Sequence, residues 1–552
     1  MKYYLTGKQA GLIDRYTQDK VGIPGLVLME KAAEVAANEL EKRLKDSSFL
    51  FDMLRDKILI VAESGNNGGD GVAVARILKT HGYDTYVYEI NGISSKSDSY
   101  LKQVEIARNL GVTFVTPEID KEEVFYDYKV VVDSIFGVGL TRDVKGIQSK
   151  VIDRINHARD CGAFIFSIDI PSGISSTTGH VLGNAVRSHM TVTFQYIKYG
   201  MLVNEGREYS GEIICRDIGL YVPSDIEQMQ NLLEAYHKDE ECAESDEQIL
   251  YEYTSCEVKN LLPDRRADSN KGTYGKVLII AGSRDVYGAM YMSAEASLRI
   301  GAGLVKVVTD INNRDLLMDK LPEAMMLSYD SDVLGTEKKL CEFGDKLEES
   351  VNWADVILIG PGIGTDVIAE SIMKKIVEYC DGKKNKKLIL DADALNIIAK
   401  NSIEWFKMIT QAVGRSNVVI TPHIAEMSRL ISKSVGEIKE SPREAAHMAS
   451  DEYGVVTILK DARTYVTSPE DSTVYVNTTG NSGMSTGGSG DVLAGILAGL
   501  VAQMKDNKNT LKDLAAVSVN LHGRAGDRAC VEKGERSMTA TDILVAICSD
   551  IC

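Results

Sequence analysis

The chain has 552 residues, too many for one hydrophobic core, so two domains are expected and three are the upper reading. It is 44% hydrophobic and 26% charged, an ordinary globular composition, and its net charge of -18 argues against a general nucleic-acid or anionic-membrane partner. The nine Cys are scattered without a CxxC pair and the eight His without an HxH or HxxxH pattern, which argues against a disulfide framework and a zinc site.

The opening MKYYLTGKQAGLIDRY has no apolar core of the kind a secretory signal needs, so a cytoplasmic location is expected. Residues 1–50 read as helical, with Thr6 as a cap and Leu26, Met29, Ala32, Ala33 and Ala36 as one stripe. Short apolar strands then alternate with helical stretches: 58–62, 85–88, 130–132, 164–168 and 190–194. That alternation predicts a parallel sheet covered on both faces. Residues 222–255 change character; they are acidic, poor in β-branched residues, and read as a helical, partly exposed connector. The alternation restarts at 276–281 and continues through 304–308, 356–359, 387–390, 418–420 and 455–459.

In α/β units ligands tend to sit beyond the C-terminal strand ends, and the unusual residues cluster there. After the first strand comes GNNGGDG, residues 65–71, leading into a helix; this reads as a phosphate cradle, with Asn66 and Asn67 adding carbonyls suited to a cation or an amide-bearing ligand. It is not GxGxxG, which weakens a hydride-transfer reading. Asp133 closes a second strand and Asp169 a third, with Ser172 three residues on. Each could simply cap its turn; three such strand ends together favour a shared site.

NNGGDG at 66–71, VVDSIFGVGLTRDV at 131–144, SIDIPSGISSTTG at 167–179 and IPGLVLMEKAA at 23–33 resemble the NAD(P)H-hydrate epimerases. The family often carries Gly-Pro where Glu63-Ser64 stands here. The resemblance implies a substrate loop of Asn66, Asn67, Gly68, Gly69 and Asp70. It implies further substrate contacts from Gly137, Val138, Gly139, Leu140, Thr141, Arg142, Asp143 and Asp169, and potassium held by Asn67, Asp133 and Ser172. Epimerising a hydroxyl-bearing ring carbon needs a group that gives and takes a proton, and Asp169 is the candidate.

In the second half the densest signal is TGNSGMSTGGSGDVLAGILAGLVAQM, residues 479–504. A Gly-Ser-Thr run passes into a helical pattern in which Leu493, Ile496, Leu497, Leu500 and Val501 share one face. The pattern is too short, and too interrupted by glycine, to span a bilayer. Glycines and unpaired helix-start amides make an anion cradle, and Asp491 at its lip is placed to take a proton from a hydroxyl attacking phosphorus. Asp491 as a plain helix cap is the alternative.

PDRRADSNKGTYGKVLIIAGS at 263–283, GAMYMSAEASLRIGAGLVKV at 288–307, GPGIGTD at 360–366, LDADALN at 390–396, TPHIAEMSRL at 421–430, ILKDARTYV at 458–466 and GGSGDVLAGILAGL at 487–500 resemble, in order, the ATP- or ADP-dependent NAD(P)H-hydrate dehydratases. The resemblance implies Ala289, Gly364, His423 and Asp491 on the hydrated nucleotide, and Lys460, Asp461, Ala462, Arg463, Thr464 and Gly490 on the adenine nucleotide. It implies ADP or ATP as co-substrate with Mg2+. The expected architecture is α/β in two domains: an N-terminal Rossmann-like three-layer sandwich over 1–223, an acidic linker over 224–252, and a C-terminal ribokinase-like three-layer sandwich over 253–552. The expected activity is two-fold: an isomerase interconverting the R and S forms of NAD(P)H hydrate, and a lyase returning the S form to NAD(P)H. A homo-oligomer is expected, with small molecules as its other partners. The rivals are a small-molecule kinase of the ribokinase type with a non-catalytic N-terminal half, and a first half that is only a binding scaffold.

Overall fold

Alternation of β-branched runs with helix-forming segments produces two parallel sheets, each in its own unit. The computed structural model describes residues 1–90, 97–116, 118–121, 123–237, 248–265, 267–331, 337–506 and 509–547. One unit is Lys2–Ile249; the other is Leu250–Cys552 together with Met1.

In the N-terminal unit β1 (Lys2–Leu5) pairs in parallel with β8 (Ile197–Lys198). The main sheet comprises β2 (Lys57–Ala62), β3 (Asp84–Glu89), β4 (Thr113–Val115), β5 (Val130–Ser134), β6 (Phe164–Ile168), β7 (Met190–Phe194) and β9 (Glu212–Arg216). Its order is β4-β3-β2-β5-β6-β7-β9, parallel throughout. Residues of one strand alternate between two cores. Ile58, Ile60, Val130 and Val132 pack with Ala33, Val72 and Val104 on one face; Leu59, Val61 and Val131 pack with Val151, Ile152 and Ile155 on the other. The result is three layers. Strand order reverses at β2 and β5, so the crevice beyond their C-terminal ends is the place for a ligand.

The C-terminal unit runs β13-β12-β11-β14-β15-β16-β17-β18-β19-β10. These are β10 (Leu250–Glu252), β11 (Lys276–Ile280), β12 (Leu304–Asp310), β13 (Met325–Tyr329), β14 (Val356–Ile359), β15 (Lys387–Leu390), β16 (Val418–Ile420), β17 (Val456–Leu459), β18 (Thr464–Ser468) and β19 (Asp471–Asn477). Pairing is parallel from β13 to β17; β17, β18 and β19 are antiparallel, and β10 is parallel to β19. Its reversal point lies between β11 and β14.

The structure departs from the sequence reading in several places. Residues 2–5 are a strand, not helix, although Thr6 does cap the helix Gly7–Tyr16 in a capping box. Leu26 is 41% exposed; the buried face of the helix Gly25–Leu44 starts at Leu28 and carries Met29, Ala32, Ala33 and Ala36. Strands β4, β8, β9, β10, β13, β18 and β19 are absent from the expectation. Of the acidic connector, Ile226–His237 is helical and Leu250–Glu252 is a sheet strand; 238–247 lie outside the described residues. Among the described residues no helix is long and apolar enough to cross a membrane.

The helix Ser489–Ala502 is not one-faced: every residue from Val492 to Ala502 is buried. Its glycines are contact points. A Cβ at Gly495 would stand 2.3 Å from the Ser293 carbonyl oxygen, and one at Gly499 would stand 2.7 Å from that of Ser297, so the helix Gly288–Arg299 lies directly against it. Ser297 Oγ donates across the seam to the Gly495 carbonyl at 2.9 Å.

Candidate active sites

The N-terminal crevice opens into a cavity of about 860 Å³. The helix Asn66–Thr80 begins at Asn66, so NNGGDG is its first turns and not a loop. The glycines serve packing: a Cβ at Gly68 would lie 1.6 Å from the Glu63 carbonyl oxygen and one at Gly71 would lie 2.0 Å from Ser134 Oγ. They let the helix start lie on the strand ends, with Gly65 as its N-cap and Gly65, Asn66 and Asn67 lining the cavity. Asn66, Asn67, Asp70, Gly137, Val138, Gly139, Leu140, Thr141, Arg142 and Asp169 line the cavity. Gly68 and Gly69 are buried in the helix. Asp143 is exposed, 3.4 Å from Lys145, and is not among the lining residues.

Below the cavity, Asp133 is fully buried. Ser172 donates to it through Oγ (2.6 Å) and the backbone amide (2.8 Å), and Ser167 Oγ donates at 2.8 Å. Burial raises the Asp133 carboxyl above its ordinary range, against the pull of these donors. Ser172 Oγ also accepts from Phe136 N at 2.8 Å, and Asn67 Nδ2 donates to the Phe136 carbonyl at 3.0 Å. Asn67 Oδ1 is buried with no hydrogen-bond partner. An orphaned acceptor at the end of a chain of oxygens fits a hard cation, so the set Asn67, Asp133 and Ser172 is chemically suited to potassium.

Asp169 stands in the left-handed region at φ 68, a costly conformation for a non-glycine residue and one that collects at functional sites. Lys198 Nζ donates to Asp169 Oδ1. Asp70 lies close by. Burial pushes its carboxyl well above the ordinary range, and the charges of Asp169 and Asp14 push it further, against Lys198. Sequence reasoning missed Lys198 and Asp14, both of which line the cavity.

In the C-terminal unit Gly488, at φ 93, is the N-cap of Ser489–Ala502, and Asp491 lies in the first turn. Burial pushes Asp491 up to about 7; the Asp391 charge adds to this, Lys460 opposes it and Asp393 adds again. Lys460 Nζ sits 3.5 Å from where a Gly490 Cβ would be, so the ammonium lies beside the glycine cradle. It donates to Asp391 Oδ1 at 2.7 Å, and Thr421 Oγ1 donates to the same oxygen at 2.6 Å. Burial acts to depress the Lys460 ammonium, but Asp391, Glu426 and Asp491 carry it above the usual lysine range.

Ala392, between Asp391 and Asp393, stands at φ 49. That strained turn sends the two carboxylates different ways: Asp391 to Lys460, Asp393 to the Gly364 amide at 2.9 Å. Gly360, at φ 130, is required for both its backbone and its place, since a Cβ there would meet the Asp391 carbonyl at 1.7 Å. Ala289 is buried near the start of its helix, beside Gly362. His423 Nδ1 accepts from the Ala425 and Glu426 amides and caps the helix Ile424–Ile431. Its Nε2 stands 3.4 Å from Glu426 Oε1. Asp461, Ala462 and Arg463 form the turn between β17 and β18, and Thr464 starts β18. Asp391, Asp393, Glu426 and His522 are the residues sequence reasoning passed over. The first two lay inside the quoted LDADALN, which was the available signal.

The family model described as NAD(P)H-hydrate dehydratase matches residues 277–549, and that described as YjeF-related protein N-terminus matches 25–200. The chain is 32% identical over 548 residues to the bifunctional NAD(P)H-hydrate repair enzyme Nnr of Moorella thermoacetica, covering 98% of this chain and 95% of that protein. The chain belongs to the bifunctional NAD(P)H-hydrate repair enzyme family. The Escherichia coli member is 31% identical over 533 residues, 96% of this chain and 90% of that one. Among solved structures, a ribokinase-like superfamily protein of Enterococcus faecalis is 31% identical and covers 55% of this chain and 95% of its own, with TM-score 0.47. The ADP/ATP-dependent NAD(P)H-hydrate dehydratase of Bacillus subtilis, co-crystallised with ATP/Mg2+, is 26% identical and covers 54% and 96%, with TM-score 0.45.

Proposed function

We propose that the two units repair one damaged coenzyme in sequence. The N-terminal unit interconverts the R and S forms of NAD(P)H hydrate, and the C-terminal unit dehydrates the S form to NAD(P)H at the expense of ADP or ATP. The single observation that carries this reading is Asp491. It is a carboxyl tuned to about 7, at the start of a helix behind a glycine cradle, with the Lys460 ammonium at the cradle's edge.

In the C-terminal unit Asp491 takes the proton of the substrate hydroxyl. That oxygen attacks the terminal phosphoryl group, and the amides of 488–490 hold the transferring charge. The C–O bond then breaks with phosphate as leaving group, pushed by the ring nitrogen, and loss of the neighbouring ring proton restores the 5,6 double bond. Hydroxide leaves poorly and phosphate well, which accounts for the spent nucleotide. Ala289, Gly364, His423 and Asp491 receive the hydrated nucleotide; Lys460, Asp461, Ala462, Arg463, Thr464 and Gly490 receive the adenine nucleotide. Mg2+, when bound with the nucleotide, would supply charge neutralisation on the phosphates.

In the N-terminal unit Asn66, Asn67, Asp70, the 137–142 loop and Asp169 hold the hydrate, with Asp169 exchanging the proton. Asn67, Asp133 and Ser172 would hold potassium, which supplies weak electrostatic ordering of the surrounding oxygens. A cytoplasmic homo-oligomer completes the proposal.

The test incubates the separated R and S hydrates with ADP or ATP, with and without potassium, and follows the return of reduced-nicotinamide absorbance. Accumulation of a phosphorylated alcohol without that return would support the kinase rival instead. An Asp169→Ala variant that still interconverts the epimers would make the N-terminal unit a binding scaffold.

A further inference from the structure

Beside Asp169 lies a group to which nothing above gives a role. We infer that Lys198 is a positioning residue of the epimerase site, fixing the Asp169 carboxylate in place toward the cavity; the inference rests on the epimerase reading of this unit.

Lys198 ends the short strand β8. Its side chain is only 4% exposed, unusual for lysine, whose burial is tolerated only with partners. Three acceptors meet the ammonium: Asp169 Oδ1, Thr193 Oγ1 at 2.9 Å and the Phe194 carbonyl at 3.4 Å. Those are as many acceptors as the group has N–H bonds, and all three belong to the end of β6 or to β7. Thr193 Oγ1 in turn donates to the same Asp169 oxygen at 3.3 Å. The Asp169 backbone is held too, its amide donating to the Val192 carbonyl at 2.7 Å while φ stays at 68. Asp169 is therefore fixed from two sides, with its second carboxylate oxygen free of any bond to Lys198 or Thr193.

Charge balance gives the lysine a further purpose. Asp14 from the first helix, Asp70 from the helix Asn66–Thr80 and Asp169 all line the one cavity, and Lys198 is the ammonium set among them; Cys215 on β9 feels both Lys198 and Asp169. Three crowded carboxyls cannot all ionise cheaply. The one fixed cation is bonded to Asp169, whereas burial raises the Asp70 and Asp14 carboxyls above their ordinary range.

The experiment compares full-length wild type, Lys198→Met and Lys198→Arg in interconversion of purified NADH-hydrate epimers, with kcat, KM and the pH profile recorded. The expected result is that Lys198→Met loses about 100-fold in kcat with little change in KM, and that the acid limb of its pH profile moves up by about one pH unit. Lys198→Arg, which keeps the cation, should recover to within about tenfold of wild type. A Lys198→Met variant with wild-type rate and profile overturns the inference. So do equal losses in both variants with an unmoved profile, which mark a merely structural lysine. A wild-type chain that does not interconvert the epimers overturns the epimerase reading itself, an outcome distinct from either.

Discussion

Lys460 Nζ lies 2.7 Å from Asp391 Oδ1, and the Asp391 side chain is only 2% exposed. The pair joins the end of β17 to the turn after β15 and puts one fixed cation at the edge of the glycine cradle. Because Asp391 is buried and Lys460 one-fifth exposed, removing either partner alone strands a charge.

Lys460→Met should therefore destabilise the C-terminal unit by about 3 kcal/mol, the lower end for a broken buried pair because the lysine retains some solvent. Asp391→Asn in the same background should recover most of that loss while leaving dehydration slow. Denaturant midpoints of the two single variants and the double variant check this. Additive losses would mean the residues do not act as a pair.

Asp491→Asn should retain nucleotide binding and slow dehydration by about 10²–10⁴-fold. The wild-type rate should climb as pH rises through about 7, where the carboxyl ionises. The variant, with nothing to ionise at that position, should lose this limb. A variant within tenfold of wild type that keeps the limb would remove Asp491 as the base.

Much of this was legible beforehand, and what was not has physical causes. Asp491 stands at a helix start beside glycines, so its place in the sequence exposes it, and Lys460 stands at a strand end inside ILKDARTYV, where the family resemblance marks it. Asp391 and Lys198 do not announce themselves: a strand-end Asp reads as a turn cap and a lysine as a solvated side chain, until the tertiary fold buries both. NNGGDG reads as a loop because glycine is a poor helix former, yet contacts of Gly68 with the Glu63 carbonyl and of Gly71 with Ser134 override propensity. The β18–β19 hairpin, closed over Pro469-Glu470, was hidden because Thr464 was weighed as a ligand contact and not as the start of a strand. Leu26 kept the helical spacing but falls on the first turn, before the helix reaches the core.

His522 makes stability depend on pH. Burial lowers its imidazole to about 4, below the usual 6.5, with the Ser489 contact opposing and Lys460 assisting. Between those values the unfolded chain takes up a proton that the folded chain refuses. The stabilisation is thus present above about 6.5 and is lost as pH falls toward about 4, on the order of 3 kcal/mol. In His522→Gln, the thermal midpoint of the C-terminal transition should fall less steeply over that window; an unchanged slope would mean the ring is protonated in the folded state.

Ser172→Ala should uncouple the N-terminal site from potassium. The hydroxyl donates to Asp133 Oδ1 and accepts from Phe136 N, so its loss leaves a buried carboxylate oxygen one donor short and a backbone amide without its acceptor. The cost in stability should be about 1–3 kcal/mol, visible as a lower unfolding midpoint for this unit. The Phe136 carbonyl, which accepts from Asn67 Nδ2, should shift with it, so the orphaned Asn67 oxygen no longer converges with Asp133. Epimerisation in the variant should then be slow and nearly indifferent to replacing potassium by sodium, whereas wild type should respond to the exchange. If both respond equally, the ion sits elsewhere and the Asn67 oxygen has another purpose.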